Sequence, residues 1–255
     1  PVVSASTVAY VPISLGATLD FVGSANLTQN TGAITLTGSR AINVAANTLT
    51  LNGLISGASY AVTKSGAGTL ILGGANTFSG GTTLSAGTLV LANNAALGTG
   101  TFTVNGGIVD ASPAATITNA ITLGADLTFT GTANLTQGTG AIALGADRVI
   151  TVNGSILTLG GVIGGSGAGF TKSGAGTLKV TAANTYSGAT NLNAGTLVLV
   201  SSFYALGGSG ATAGLFTVNG GILDAGSGGT TITNAVTLAA DLNFTWDCFA
   251  FAMGS

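Results

Sequence analysis

The octapeptide TKSGAGTL occupies residues 63–70 and returns unchanged at 171–178. A lysine, two glycines and several hydroxyls so close together suit either a phosphate-cradling loop or one rung of a repeat. A dinucleotide fingerprint needs G-x-G-x-x-G. After Gly66 and Gly68 the closing position holds Ile71, and after Gly174 and Gly176 it holds Lys179. A Walker loop places its lysine behind the glycines, whereas Lys64 and Lys172 stand in front of them. The octapeptide therefore reads as a corner that the chain builds twice.

The surrounding sequence repeats with it. LGATLDFVGSANLTQNTGAITL (15–36) aligns with LGADLTFTGTANLTQGTGAIAL (123–144) without a gap. The same register holds through Arg40/Arg148, Lys64/Lys172 and Asn76/Asn184 to AGTLVL at 86–91 and 194–199. The second copy then carries the insertion SSFYALGGSGATAG. Beyond it TVNGG (103–107) aligns with 217–221, and ITNA (117–120) with 232–235. Two modules follow, 15–122 and 123–237, with residues 238–255 reading as a partial third module and a divergent end.

A finer period lies inside each module. Glycine-rich turns recur about every 20 residues, and between them apolar residues alternate with Thr, Ser or Ala, the mark of short strands. TLIL (69–72), TFTV (101–104) and LTFT (127–130) are examples. No stretch shows helical periodicity. Short strands, glycine corners and a period near 20 predict an all-β chain, a single β-solenoid over 1–255. A rung cannot bury its apolar side alone, so rungs stack and share one core. At roughly 4.8 Å per rung, some 12 rungs make a rod on the order of 60 Å long.

Composition narrows the function. Only 5% of the 255 residues are charged, against roughly 25% in an average soluble protein. The formal charge of −2 lacks the basic footprint of a nucleic-acid binder. No apolar run reaches the ~18 residues of a membrane helix, so no membrane-spanning segment is expected, and the opening PVVSASTVAY lacks a signal peptide's basic stretch. The single Cys248 forms no internal disulfide.

The block KSGAGTLILGGANTFSGGTTLSAGTLVLANNAALGTGTFTVNGG (64–107) resembles the passenger-associated transport repeat of bacterial autotransporters. GAGTL, ANTFSGGT and AGTLVL carry the match in order. The second copy, KSGAGTLKVTAANTYSGATNLNAGTLVLV (172–200), is similar but has Ala189 where the first has a second glycine. The resemblance implies a right-handed parallel β-helix at a bacterial surface or secreted from it. It carries over no catalytic residue and no cofactor.

Without His or Glu, only Asp remains for carboxylate chemistry. Asp20, Asp126 and Asp241 are equivalent by repeat, as Asp110 and Asp224 nearly are, and Asp147-Arg148 reads as a local ion pair. Seven Asp spread this widely do not make a calcium-binding nonapeptide array. Neither a catalytic nor a metal site is expected. Asn76/Asn184, Asn105/Asn219 and Asn119/Asn234 recur at corners, where Asn tolerates left-handed backbone and bonds its own turn. They are expected to cap corners or to stack as ladders. The Thr-x-Thr pairs at 35/37, 48/50, 101/103, 116/118, 128/130 and 231/233 read as outward strand positions.

Strand alternation leaves Ile71 and Val90 pointing outward between inward leucines, and exposed apolar patches mark interaction surfaces. Open solenoid ends also invite pairing. Trp246, Phe249 and Phe251 are read as a plug for the core, a dock on a neighbouring subunit or a non-native tail. Tyr10 and Pro12 are candidates for the matching role at the other end, since Pro suits an edge strand. The leading expectation is an extracellular, non-enzymatic subunit that self-assembles end to end, with lateral contacts, into a surface or matrix fibre. The alternative is a monomeric stalk or adhesive passenger segment that meets a host or neighbouring-cell surface through loops such as Phe203-Tyr204.

Overall fold

The computed structural model describes residues 6–8, 10–200, 204–208, 214–226, 231–241 and 243–245. Trp246, Phe249, Phe251 and Phe203 lie outside the described residues. All regular elements among the described residues are strands, two to five residues long. Every pairing among the described strands is parallel, and inside each sheet a strand bonds to those one turn before and one turn after it.

The chain winds through three faces in a fixed order. The first face is a sheet of 12 strands, from Ser6–Val8 to Val236–Leu238. The second holds three strands, Ile13–Leu15 to Ile55–Ser56, and after an interruption seven more, beginning at Ala115–Ile117. The third holds eight strands, from Leu19–Phe21 to Ile163–Gly164. The turns are not of equal length. A short one runs from Thr69 to its partner Thr88, and a long one from Thr190 to Phe216, where the insertion of the second copy lies. The solenoid and its period are as the alternation and the glycine spacing require.

The interruption on the second face comes from the repeat itself. ANTFSGG (75–81) has no strand, although Thr77 N–H still bonds to the Ile55 carbonyl one turn below. Its Phe78 is fully buried.

Alternation fills the core. In Thr69–Leu72, Leu70 and Leu72 are buried, and they stack on Leu49 and Leu51 below and on Leu89 and Leu91 above. Like residues thus pile up in columns, each buried side chain contributing about 1.5–3 kcal/mol. Where Phe170 meets Tyr186 the rings pack edge to face at 5.5 Å, a geometry that aromatic quadrupoles favour.

Equivalent sequences do not fall on the same face. Val62–Ser65, with Lys64, lies on the third face, and five further strands of that face follow it, the last being Ile163–Gly164. The next strand along the chain, Phe170–Ser173 with Lys172, is on the first face. Equivalent strands are therefore separated by five and one-third turns. Likewise Thr69–Leu72 sits on the first face and Thr177–Val180 on the second.

Candidate functional site

In Val62–Ser65 strand parity puts Lys64 on the inward side with Val62, and both are fully buried. The column above and below Lys64 is apolar, Ile42 and Leu84. A charged end group in that column requires partners. The stem curls to the corner that follows, where Nζ donates to the carbonyls of Ser65 at 2.8 Å, Gly66 at 2.7 Å and Ala86 at 3.0 Å. Ser65 and Gly66 belong to its own turn, and Ala86 to the next. Lys172 repeats the arrangement on Ser173, Gly174 and Ala194 at 2.8, 2.7 and 3.0 Å. Three N–H donors meet three carbonyl acceptors, so the ammonium ties two turns together at each copy.

The glycine of AGTL completes the corner. Gly87 has φ +70° and Gly195 φ +68°, a left-handed backbone that glycine adopts without penalty. A β-carbon on Gly87 would overlap the Gly66 and Gly68 carbonyl oxygens and lie 2.7 Å from Lys64 Nζ. Gly195 stands the same way against Gly174, Gly176 and Lys172. The recurrence of TKSGAGTL thus has a definite cause, because lysine, glycine corner and next-turn glycine form one cage. Reading this stretch as a plain corner misses the lysine. Its signal is parity: Lys64 and Lys172 share the inward side with Val62 and Phe170.

Burial pulls both amino groups down from 10.5 to about 8. Unfolded lysines hold their protons to near 10.5, so between pH 8 and 10.5 unfolding takes up protons and stability rises with pH. Burial pushes the Tyr186 phenol above its usual 10.0, opposed by its hydrogen bond with Thr190. Above pH 10 the unfolded tyrosine ionises first, which opposes this rise, and stability falls once the unfolded lysines have also lost their protons. Denaturant unfolding from pH 7 to 12 is therefore expected to show a stability maximum between about pH 10 and 11. A monotonic decline from pH 8 would contradict it.

The repeated asparagines divide into two groups. Asn76 and Asn184 are buried and join three successive turns. Asn76 Oδ1 accepts from Ile55 N–H at 2.8 Å and its Nδ2 donates to Ala96 O at 2.6 Å. Asn184 does the same with Ile163 and Ala205. Asn119 donates to the Gly98 and Gly100 carbonyls, and Asn234 to those of Leu206 and Gly214. Asn105 and Asn219 are exposed, and Asn219 finds a side-chain rung in Asn193 at 2.8 Å. Among these six positions, asparagine stacked on asparagine is confined to that pair, because Ser85 lies one turn below Asn105.

The remaining polar groups also serve the backbone. Asp147 Oδ1 accepts from Gly169 N–H, and Arg148 donates to the carbonyls of Leu123 and Gly124. The expected Asp147–Arg148 ion pair is replaced by these cross-turn bonds. Asp110 accepts from Thr132 N–H and from Ala111 N–H, and Asp126 accepts from Val149 N–H. Among the described residues no cluster of three or more His, Cys, Asp or Glu is placed to hold a metal. Among them, too, no helix is long and apolar enough to cross a membrane.

The candidate assembly contacts are not equally exposed. Tyr10 is 75% exposed and Pro12 is exposed. Ile71 is half-buried, and Val90 retains only 8%. The premise of an apolar patch at Ile71 and Val90 therefore fails. The two stand in register on one outward row, Thr50–Ile71–Val90–Asp110, and side chains stacked roughly 4.8 Å apart cover one another.

Comparison with known proteins agrees with this geometry. The passenger-associated-transport-repeat profile matches residues 62–91 and 170–199, the two segments that contain the lysine cages. The chain is 33% identical over 235 residues to the Adhesin BmaC autotransporter of Brucella suis biovar 1 (strain 1330). That alignment covers 86% of this chain and 7% of the adhesin. No solved structure matches. The chain thus carries two copies of the passenger-associated transport repeat, in a solenoid that is similar over most of its length to a short part of an autotransporter adhesin.

Proposed function

We propose that the chain is a non-catalytic stalk segment within the adhesive passenger of an autotransporter, displayed outside the bacterial cell. The observation that carries this reading is the continuous parallel stack on the first face, 12 strands deep. Such a stack makes a stiff spacer, since each turn is bonded to the next. The polar groups of the corners are engaged in holding turns together, which leaves them no role in turnover. The likeness to an autotransporter adhesin supports an extracellular place for it. Of the grounds for a self-assembling fibre, the outward apolar row is largely covered, which favours the stalk over lateral association.

Light scattering and negative-stain microscopy of the purified chain across a concentration series test this. Isolated rods of monomer mass, about 55 Å long from the rung spacing, are expected throughout. Filaments that lengthen with concentration would overturn the stalk and restore the fibre.

A further inference from the structure

Asparagine precedes glycine at 52–53, 105–106, 153–154 and 219–220, and all four asparagines are exposed at corners. This pair is prone to lose the side-chain amide, because glycine has no β-carbon to hinder attack of its own nitrogen on the amide carbon. Reaction requires a side chain that nothing holds and a glycine N–H without an acceptor. The four corners differ in both. The Gly53 N–H donates to Gln29 Oε1 at 3.2 Å, and Gly53 is buried. Asn219 is held by its side chain, since Nδ2 donates to Asn193 Oδ1 at 2.8 Å. Asn105 is the equivalent of Asn219 in the first copy, but Ser85 stands where the second copy has Asn193. Among the described residues neither the Asn105 side chain nor the Gly106 N–H has a hydrogen-bond partner. A β-carbon on Gly106 would meet only Ser85 within 4 Å, and Gly124, one turn above, has no side chain to press on the Asn105 amide. Asn153 and Gly154 also lack partners, but Gly154 lies against the Thr130 and Gly131 carbonyls.

We propose that Asn105 is a self-modifying site, which converts to aspartate or isoaspartate through its own backbone. The Gly106 nitrogen gives up its proton and attacks Asn105 Cγ. The new N–C bond closes a succinimide ring, the Cγ–Nδ2 bond breaks, and ammonia carries the proton away. Water then opens the ring at either carbonyl. The reaction consumes water alone and needs no second protein. It sets a carboxylate on the corner that holds the Lys64 cage, two turns above Ser65, in a chain whose formal charge is only −2. The converted fraction then records the age of the molecule. The site stands whether or not the segment is a stalk.

The test incubates the full chain at pH 7 and pH 9, folded and in urea, and follows the four Asn-Gly peptides by mass and by enzymatic methylation of isoaspartate. In urea all four should convert at similar rates. In the folded chain Asn105 should convert first. Asn219 should be about fivefold slower and Asn52 at least about tenfold slower, since a hydrogen bond must break before either reacts. Conversion should be faster at pH 9, where the glycine nitrogen loses its proton more readily. Two exchanges of exposed corner residues decide the cause. Asn193→Ser should raise Asn219 to the rate of Asn105, and Ser85→Asn should slow Asn105 to the rate of Asn219. Each variant places at one corner the residue that the other copy already carries there, and the exchange in either copy suffices should the other fail to fold. An Asn105 that stays intact in the folded chain while the urea sample converts would overturn the proposal. So would rates at Asn105 and Asn219 that neither exchange moves.

Discussion

Lys64→Met is expected to be among the most destabilising single substitutions in the chain. Methionine fills nearly the same volume but has no donor. It leaves the Ser65, Gly66 and Ala86 carbonyls turned toward one another around an apolar methyl. A buried acceptor that loses its partner costs about 1–3 kcal/mol. Part of this is offset because an ammonium no longer has to be buried. A net loss of about 3 kcal/mol is expected, which is roughly a hundredfold in the local opening equilibrium. A solenoid opens turn by turn, so amide exchange is the suitable measurement. Protection should fall at Ser85 and Thr88, which bond to the turn of Lys64, and stay nearly unchanged five turns away at Lys172. Lys172→Met should mirror this, and the double variant should be close to additive. The rise of stability between pH 8 and 10 should also vanish in the double variant. Unaltered protection in Lys64→Met would mean that the cage is incidental.

Gly87→Ala should be as damaging or worse, for a different reason. Two terms add: left-handed backbone costs a non-glycine residue roughly 1–2 kcal/mol, and the new methyl overlaps two carbonyl oxygens that cannot retreat without breaking the stack. Gly167 separates the terms. It has φ +71°, but a β-carbon there would meet nothing within 4 Å. Gly167→Ala is therefore expected to lose only the backbone term, about 1 kcal/mol. Gly87→Ala should lose several times more, together with protease resistance of the 62–91 segment. Equal losses at the two glycines would show that the cage yields, and that conformation alone makes Gly87 necessary.

Much of this molecule was legible in one dimension. Leu70 and Leu72 alternate with Thr69 and Ile71, and that pattern specifies a strand with one buried side. Glycines at regular intervals specify corners. A strand of this length cannot stand alone, so stacking follows. The likeness of TKSGAGTL at 63–70 and 171–178 also announced a twice-built device, since two identical corners need the same local contacts. The reading failed where it treated outward as exposed. Val90 does point outward, yet its neighbours in the row cover it, and those neighbours, Ile71 and Asp110, lie a full turn away along the chain.

What the sequence by itself determined was the class of fold, the turn length and the identity of the corner residues, because each depends on contacts within a strand or a turn. The tertiary structure alone decided three things. It chose which carbonyls receive Lys64 Nζ, since Ala86 arrives only when the next turn stacks. It divided the asparagines into buried staples such as Asn76 and an exposed pair such as Asn193–Asn219. It also set the face on which each repeat lies. That last property depends on the summed length of five turns that are unequal, as the partners Thr69↔Thr88 and Leu127↔Ile150 show. No single turn contains it, and the shift by one face appears only when the coil is closed.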